Sequence, residues 1–198
     1  MKKAKMLLSS VLLLGIYAHG QASHAVKLNP LGALFGNIGV GYEHGLGETT
    51  SVQLGMSFFS RSFDVSATSD GDIVSGDQKF SGIGFVPEFR FYFDSAIEGW
   101  YGGVFANYNS IKFKTEYSSG NDDLNSESSI TNIGAGAEFG KQWLLGSNEN
   151  FVIDLNLGAG FQSASVDSEN DDDEDDIEFG LAASGVWPKL SFSVGYAF

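Results

Sequence analysis

The last ten residues, KLSFSVGYAF, place Leu190, Phe192, Val194, Tyr196 and Phe198 on one parity and Ser191, Ser193, Gly195 and Ala197 on the other. A period of two describes a strand with one apolar face and one small, polar face. The same alternation recurs upstream. It predicts strands over residues 26–30, 37–44, 50–63, 80–93, 100–114, 130–143 and 151–165, with 189–198 closing the series. Residues 151–165 alternate most cleanly, with Phe151, Ile153, Leu155, Leu157 and Phe161 against Asp154, Asn156, Gly158, Gly160 and Gln162. The two faces of 100–114 are less distinct, and Pro87 falls on the apolar side of its strand, where a ladder hydrogen bond must be missing.

The connections alternate in length. Residues 31–36, with Gly32 and Gly36, predict a tight reversal. Short turns fall near Gly45, Asp94 and Leu144, whereas 66–78, 115–129 and the stretch opening with the acidic run 167–178 read as long polar loops. Eight strands place the turns near Gly45, Asp94 and Leu144 at one end and the three long loops at the other, with both termini on the short-turn side. That is the plan of a single-chain bacterial membrane barrel. A further strand in 177–183 would break this asymmetry. The expectation is an all-β, eight-stranded antiparallel up-and-down transmembrane β-barrel. No stretch after the N-terminal segment approaches the ~20 apolar residues of a spanning helix, so a closed barrel is the available way through a membrane.

Composition sharpens this. Among 198 residues are 26 Gly and 17 Phe but only three Pro and no Cys, which excludes disulfides and thiol chemistry. The N-terminus carries Lys2, Lys3 and Lys5, then an apolar run over 6–17, then small residues around Ala22. This reads as a signal peptide over 1–22, cleaved near Ala22, with the barrel domain over 23–198. The net charge is -14, and three of the 11 basic residues lie in that leader. So acidic a remainder argues against nucleic acid as a partner.

The opening VKLNPLGALFGNIGVGYEHGL, the alternating segments and the ending SGVWPKLSFSVGYAF together resemble the small outer-membrane β-barrel domain proteins of Gram-negative bacteria. The resemblance spans nearly all of the mature chain and brings no catalytic motif with it. It implies an outer-membrane location and contact with outer-membrane lipid. It also implies that the insertion machinery reads the C-terminal strand through Leu190, Phe192, Val194, Tyr196 and Phe198. The protein is expected to be monomeric and to carry no cofactor.

Candidate chemistry is concentrated on the inward parity: Lys27, Glu43, Arg61, Glu88, Arg90, Glu138 and Asp154. A carboxylate pair there could act as general acid and base. The plainer expectation is a salt-bridged plug, because eight strands enclose only enough room for side chains and buried charges must be paired. The acidic run 167–178 could attract divalent cations, but it lacks the Gly and spacing of an EF-hand loop, so a solvated charged segment is expected. A lipid-modifying enzyme would need a nucleophile and base at the external rim. Ser60 and Ser62 lie there, but His44 lies at the opposite end, and no enzyme is expected. Trp100, Tyr101, Trp143, Tyr42 and Tyr196 fall near the short-turn ends, as aromatic-girdle residues do. The competing fold is a secreted soluble barrel binding a hydrophobic ligand, with Phe85, Phe89, Leu155 and Leu157 turned inward. Alternation alone does not separate the two. The terminal Phe198, the girdle and the turn asymmetry favour the membrane.

Overall fold

The computed structural model describes residues 22–34, 36–69, 72–119, 122–168 and 184–198. Residues 1–21 of the expected signal peptide and the acidic run from Glu169 onward lie outside the described residues. Eight strands form one closed antiparallel barrel in sequence order. They are β1 (His24–Asn29), β2 (Asn37–Gly45), β3 (Thr50–Ser69), β4 (Asp72–Tyr92), β5 (Gly99–Ser119), β6 (Asp122–Leu145), β7 (Phe151–Ser168) and β8 (Gly185–Ala197). The reversal expected at 31–36 contains a single helical turn, α1 (Pro30–Leu34), with Pro30 at its first position, where a missing N–H costs nothing. β8 closes on β1 with Ala25 opposite Ala197 and Leu28 opposite Val194.

The register fixes the dimensions. Partners followed from Ala25 run through Glu43, Gln53, Glu88, Phe105, Gly136 and Gly160 to Trp187 on β8. That position is ten residues short of Ala197, the direct partner of Ala25. A stagger of ten over eight strands corresponds to a tilt of about 40° and a backbone radius of about 8 Å, taking ~3.3 Å per residue and ~4.8 Å between strands. Side chains fill a tube of that width.

The outward face is apolar. Ile38, Leu54, Phe58, Phe89, Phe91, Val104, Ile133, Phe139, Leu157, Phe161 and Leu190 are all exposed. On β4 the outward apolar set runs from Ile83 to Phe93, about 25 Å along the barrel axis at this tilt, which matches the apolar band of a membrane barrel. Phe89, Leu155 and Leu157 are each at least 44% exposed, and Phe85 shares their outward parity. They line the outside wall and not a ligand cavity, so the soluble-barrel alternative has its faces reversed. Pro87 leaves its mark without shifting the register. Pairing between β4 and β5 runs from Phe85↔Tyr108 to Glu88↔Phe105 with the two intervening pairs missing, while Leu54↔Pro87 on the β3 side is intact.

Two expected loops are strands instead. β3 and β4 pair through to Ser69↔Asp72, and β5 and β6 through to Ser119↔Asp122. The polar segments 66–78 and 115–129 therefore continue their ladders beyond the apolar band. Backbone pairing to an existing neighbour sustains a strand there without an apolar face.

Candidate functional site: the interior charge cluster

The small inward side chains of the alternating strands leave room in the lumen, and long charged side chains occupy it. Lys27 of β1 places Nζ 2.6 Å from Glu43 Oε2 and 2.7 Å from Asp154 Oδ2, and donates to Gln142 Oε1 at 2.5 Å. Arg90 of β4 is the hub. Its Nη1 lies 2.7 Å from Asp154 Oδ2, and its Nη2 and Nε donate to Glu88 Oε2 at 2.5 and 2.9 Å. Glu138 Oε1 and Glu43 Oε2 stand at 3.5 and 3.7 Å from the same guanidinium, whose Cζ sits 4.4 Å above the Tyr101 ring. Lys27, Glu43, Glu88, Arg90, Glu138 and Asp154 are all at most 7% exposed. Six of the seven residues singled out from the sequence therefore meet in one cluster.

Arg61 does not join them. Ser51 is the register partner of Arg90, and Arg61 lies ten residues further along β3, opposite Phe80. That is about 30 Å along the strand. Arg61 is exposed at that end, with its side chain beside Gly36. Parity carries no information on height.

Several members of the cluster were not singled out from the sequence. Lys189 reaches in from β8 to Glu88 Oε1 at 2.6 Å and Glu138 Oε2 at 2.5 Å, and shares the inward parity of Ser191 and Ser193. Ser51, Gln53 and Tyr92 donate to Glu43, Glu88 and Glu43 at 2.5, 2.9 and 2.7 Å. Tyr101, expected in the girdle, is fully buried and donates to Asp154 Oδ1 at 2.7 Å. The girdle at this end instead contains Trp100, stacked on Phe139, with Lys141 Nζ 5.1 Å from the Trp100 ring and 5.3 Å from that of Trp143. Tyr42 and Tyr196 are on the outside wall, as expected.

The cluster is closed at both ends. Toward the short turns, Ala25, Ile97, Val152 and Ala197 form a fully buried apolar layer. Ile97 enters it from the β4–β5 turn at φ 61°, a conformation β-branched residues avoid, and its carbonyl accepts from Gln142 Nε2 at 2.6 Å. Toward the other end, Phe105 crosses the lumen against Gly136 and Gly160, and Lys189 Nζ lies 4.3 Å from its ring. Asn107, 4% exposed, stands beyond Phe105, and neither side-chain polar atom finds a partner among the described residues.

Chemically, this arrangement is three cations and four carboxylates bound to one another. Each carboxylate touches at least one cation. The enzyme candidates are also far apart. His44 pairs with Val52 in register, eight residues from Ser60 on the same strand, or about 26 Å.

No curated protein matches the chain. Among solved structures it is similar to the attachment invasion locus protein Ail of Yersinia pestis, described in complex with the heparin analogue sucrose octasulfate, at 19% identity over 89% of this chain and 94% of that one, TM-score 0.39. It is also similar to CarO of Acinetobacter baumannii, at 9% identity over 89% and 97%, TM-score 0.45. A third is the N-terminal β-barrel domain of OprF from Pseudomonas aeruginosa, at 17% identity over 91% and 100%, TM-score 0.37. A family model described as "Protein of unknown function (DUF3575)" matches residues 6–175, most of the chain, and the protein belongs to that family.

Proposed function

We propose that the protein is a non-enzymatic, non-conducting barrel of the outer membrane, whose role is structural or is exercised through what it raises above the membrane. The observation that carries this reading is the buried cluster of Lys27, Glu43, Glu88, Arg90, Glu138, Asp154 and Lys189, capped by Ile97 and Phe105. With a wall radius of about 8 Å, such a plug leaves no path for a hydrated ion. The outer-membrane location is supported by the apolar exterior, the signal-peptide features and the rule that only helices or closed barrels span lipid. The terminal strand, with Tyr196 and Phe198, serves as the address read by the insertion machinery.

The extended hairpins supply the contact surface. β4 continues eleven residues beyond Ile83, to Asp72, and so rises on the order of 25 Å above the apolar band. The β3–β4 and β5–β6 hairpins form a wall of that height over one side of the mouth, while β1, β2 and β8 end lower.

The test is to reconstitute the purified protein in planar lipid bilayers, with heat-modifiable gel migration as the check of folding. Folded protein is expected to give no stepwise conductance. Reproducible ion-conducting steps from folded protein would overturn the plug.

A further inference from the structure

We infer that the rim carrying the short turns holds a transition-metal site, selective for Cu²⁺ over Zn²⁺, built from His24, His44 and Tyr42. The inference is independent of whether the lumen conducts. His24 and His44 are register partners on β1 and β2, so both imidazoles leave the ladder on the same, outward face. Tyr42 lies two residues along β2 on that face. The three donors converge, with His24 Nδ1 3.1 Å from His44 Nδ1 and 2.8 Å from Tyr42 Oη.

Hydrogen bonding does not satisfy this group. A neutral imidazole nitrogen offers either one proton or one lone pair. His24 Nδ1 therefore serves His44 or Tyr42, and the other contact stays unmet. A single ion serves all three. With metal–nitrogen bonds of ~2.0–2.1 Å, two adjacent ligating nitrogens lie about 2.8–3.4 Å apart between square-planar and tetrahedral angles, and the imidazole pair already falls in that range. The two rings stack at 4.5 Å and 14°. The χ2 torsion of His is broad, and turning the two rings out of this stack by some tens of degrees aims both lone pairs at one point. Phe198 stacks on His24 at 5.5 Å and steadies its ring.

The ligand class follows from the donors. Imidazole and phenol suit copper and zinc, and the general affinity order places Cu²⁺ above Zn²⁺. Among the described residues no three His, Cys, Asp or Glu converge on a point, so the third donor here is the phenol. His24 opens β1 beside the exposed Ser23, so the site is approached from the short-turn rim.

The experiment uses untagged protein, purified from membranes in detergent and titrated with Cu²⁺ alone. Electron paramagnetic resonance is read at one equivalent. The expected spectrum shows coupling to two nitrogens. His24→Gln and His44→Gln should each lose one nitrogen and bind at least about tenfold more weakly. Tyr42→Phe should keep both nitrogens and weaken binding less. Heat-modifiable migration confirms that each variant is folded, and the wild-type spectrum decides the matter if a variant is not. An oxygen-only spectrum, wild-type affinity in the His24→Gln/His44→Gln double variant, or no binding below about 1 mM would overturn the site.

Discussion

Arg90→Met removes the hub of the interior cluster at nearly constant volume. Arg90 is fully buried and holds Glu88 and Asp154 directly, with Glu43 and Glu138 within 3.7 Å. The variant leaves Lys27 and Lys189 facing four carboxylates. Glu88 keeps Lys189 and Gln53, and Asp154 keeps Lys27 and Tyr101. Neither acid is orphaned, but one net negative charge becomes two across a space about 8 Å in radius. Breaking a buried ion network by deleting one partner costs about 3–5 kcal/mol. With a urea dependence of roughly 2–3 kcal/mol per molar for a chain of this size, the unfolding midpoint should fall by about 1–2 M. Equilibrium urea unfolding in detergent micelles, followed by tryptophan fluorescence, measures this. The triple variant Arg90→Met/Glu88→Gln/Asp154→Asn lowers the charge imbalance and should recover part of the loss. A loss below about 1 kcal/mol for Arg90→Met would refute the reasoning, because that is the worth of a solvated pair. The lumen would then be hydrated and the cluster would not be a plug.

Other consequences are open to measurement. Lys189→Met should cost about 1–3 kcal/mol by the same urea assay, since Glu88 and Glu138 both lose their β8 cation. Gly140→Ala should destabilise by about 1–3 kcal/mol, because the added carbon would stand 2.6 Å from Tyr101 Cζ and 2.8 Å from Asn156 Cβ, while Gly102→Ala, with nothing within 4 Å, should be tolerated. Amide hydrogen exchange should be faster at Ala106, whose N–H faces Pro87, than elsewhere in the middle of β5, and Pro87→Val should slow it by restoring a donor toward that strand. Replacing Tyr196 and Phe198 by Ser should lower the fraction of chains that reach the outer membrane, scored as heat-modifiable protein in the membrane fraction.

Much of this barrel was legible in the alternation, because lipid outside and a polar lumen inside impose opposite chemistries on adjacent residues. Parity alone placed Leu155, Leu157 and Phe161 outside and Asp154 and Asn156 inside. It could not place residues along the barrel axis, so Arg61 was grouped with charges about 30 Å away. β5 blurred because its inward face carries Tyr101 and Phe105, aromatics that serve the ionic cluster as hydrogen-bond donor and lid. Tyr101 was consequently assigned to the girdle. Lys189 had the right parity for the cluster but sat beside the apolar terminal strand that dominated the reading of that segment. The hairpin extensions at 66–78 and 115–129 were hidden by their Ser, Asp and Asn content. Their order comes from a neighbouring ladder, which composition does not display.

In this barrel the apolar faces meet lipid and the charged faces meet one another. The absence of cysteine allows single labelling sites to be introduced cleanly. Spin labels at Leu155→Cys and Leu157→Cys, read against Asn156→Cys in reconstituted vesicles, test this most directly. The structure predicts that labels at 155 and 157 collide with lipid-dissolved oxygen and are shielded from a water-soluble nickel chelate, with 156 shielded from both. The opposite alternation, with 155 and 157 protected from oxygen and 156 open to the chelate, would contradict it.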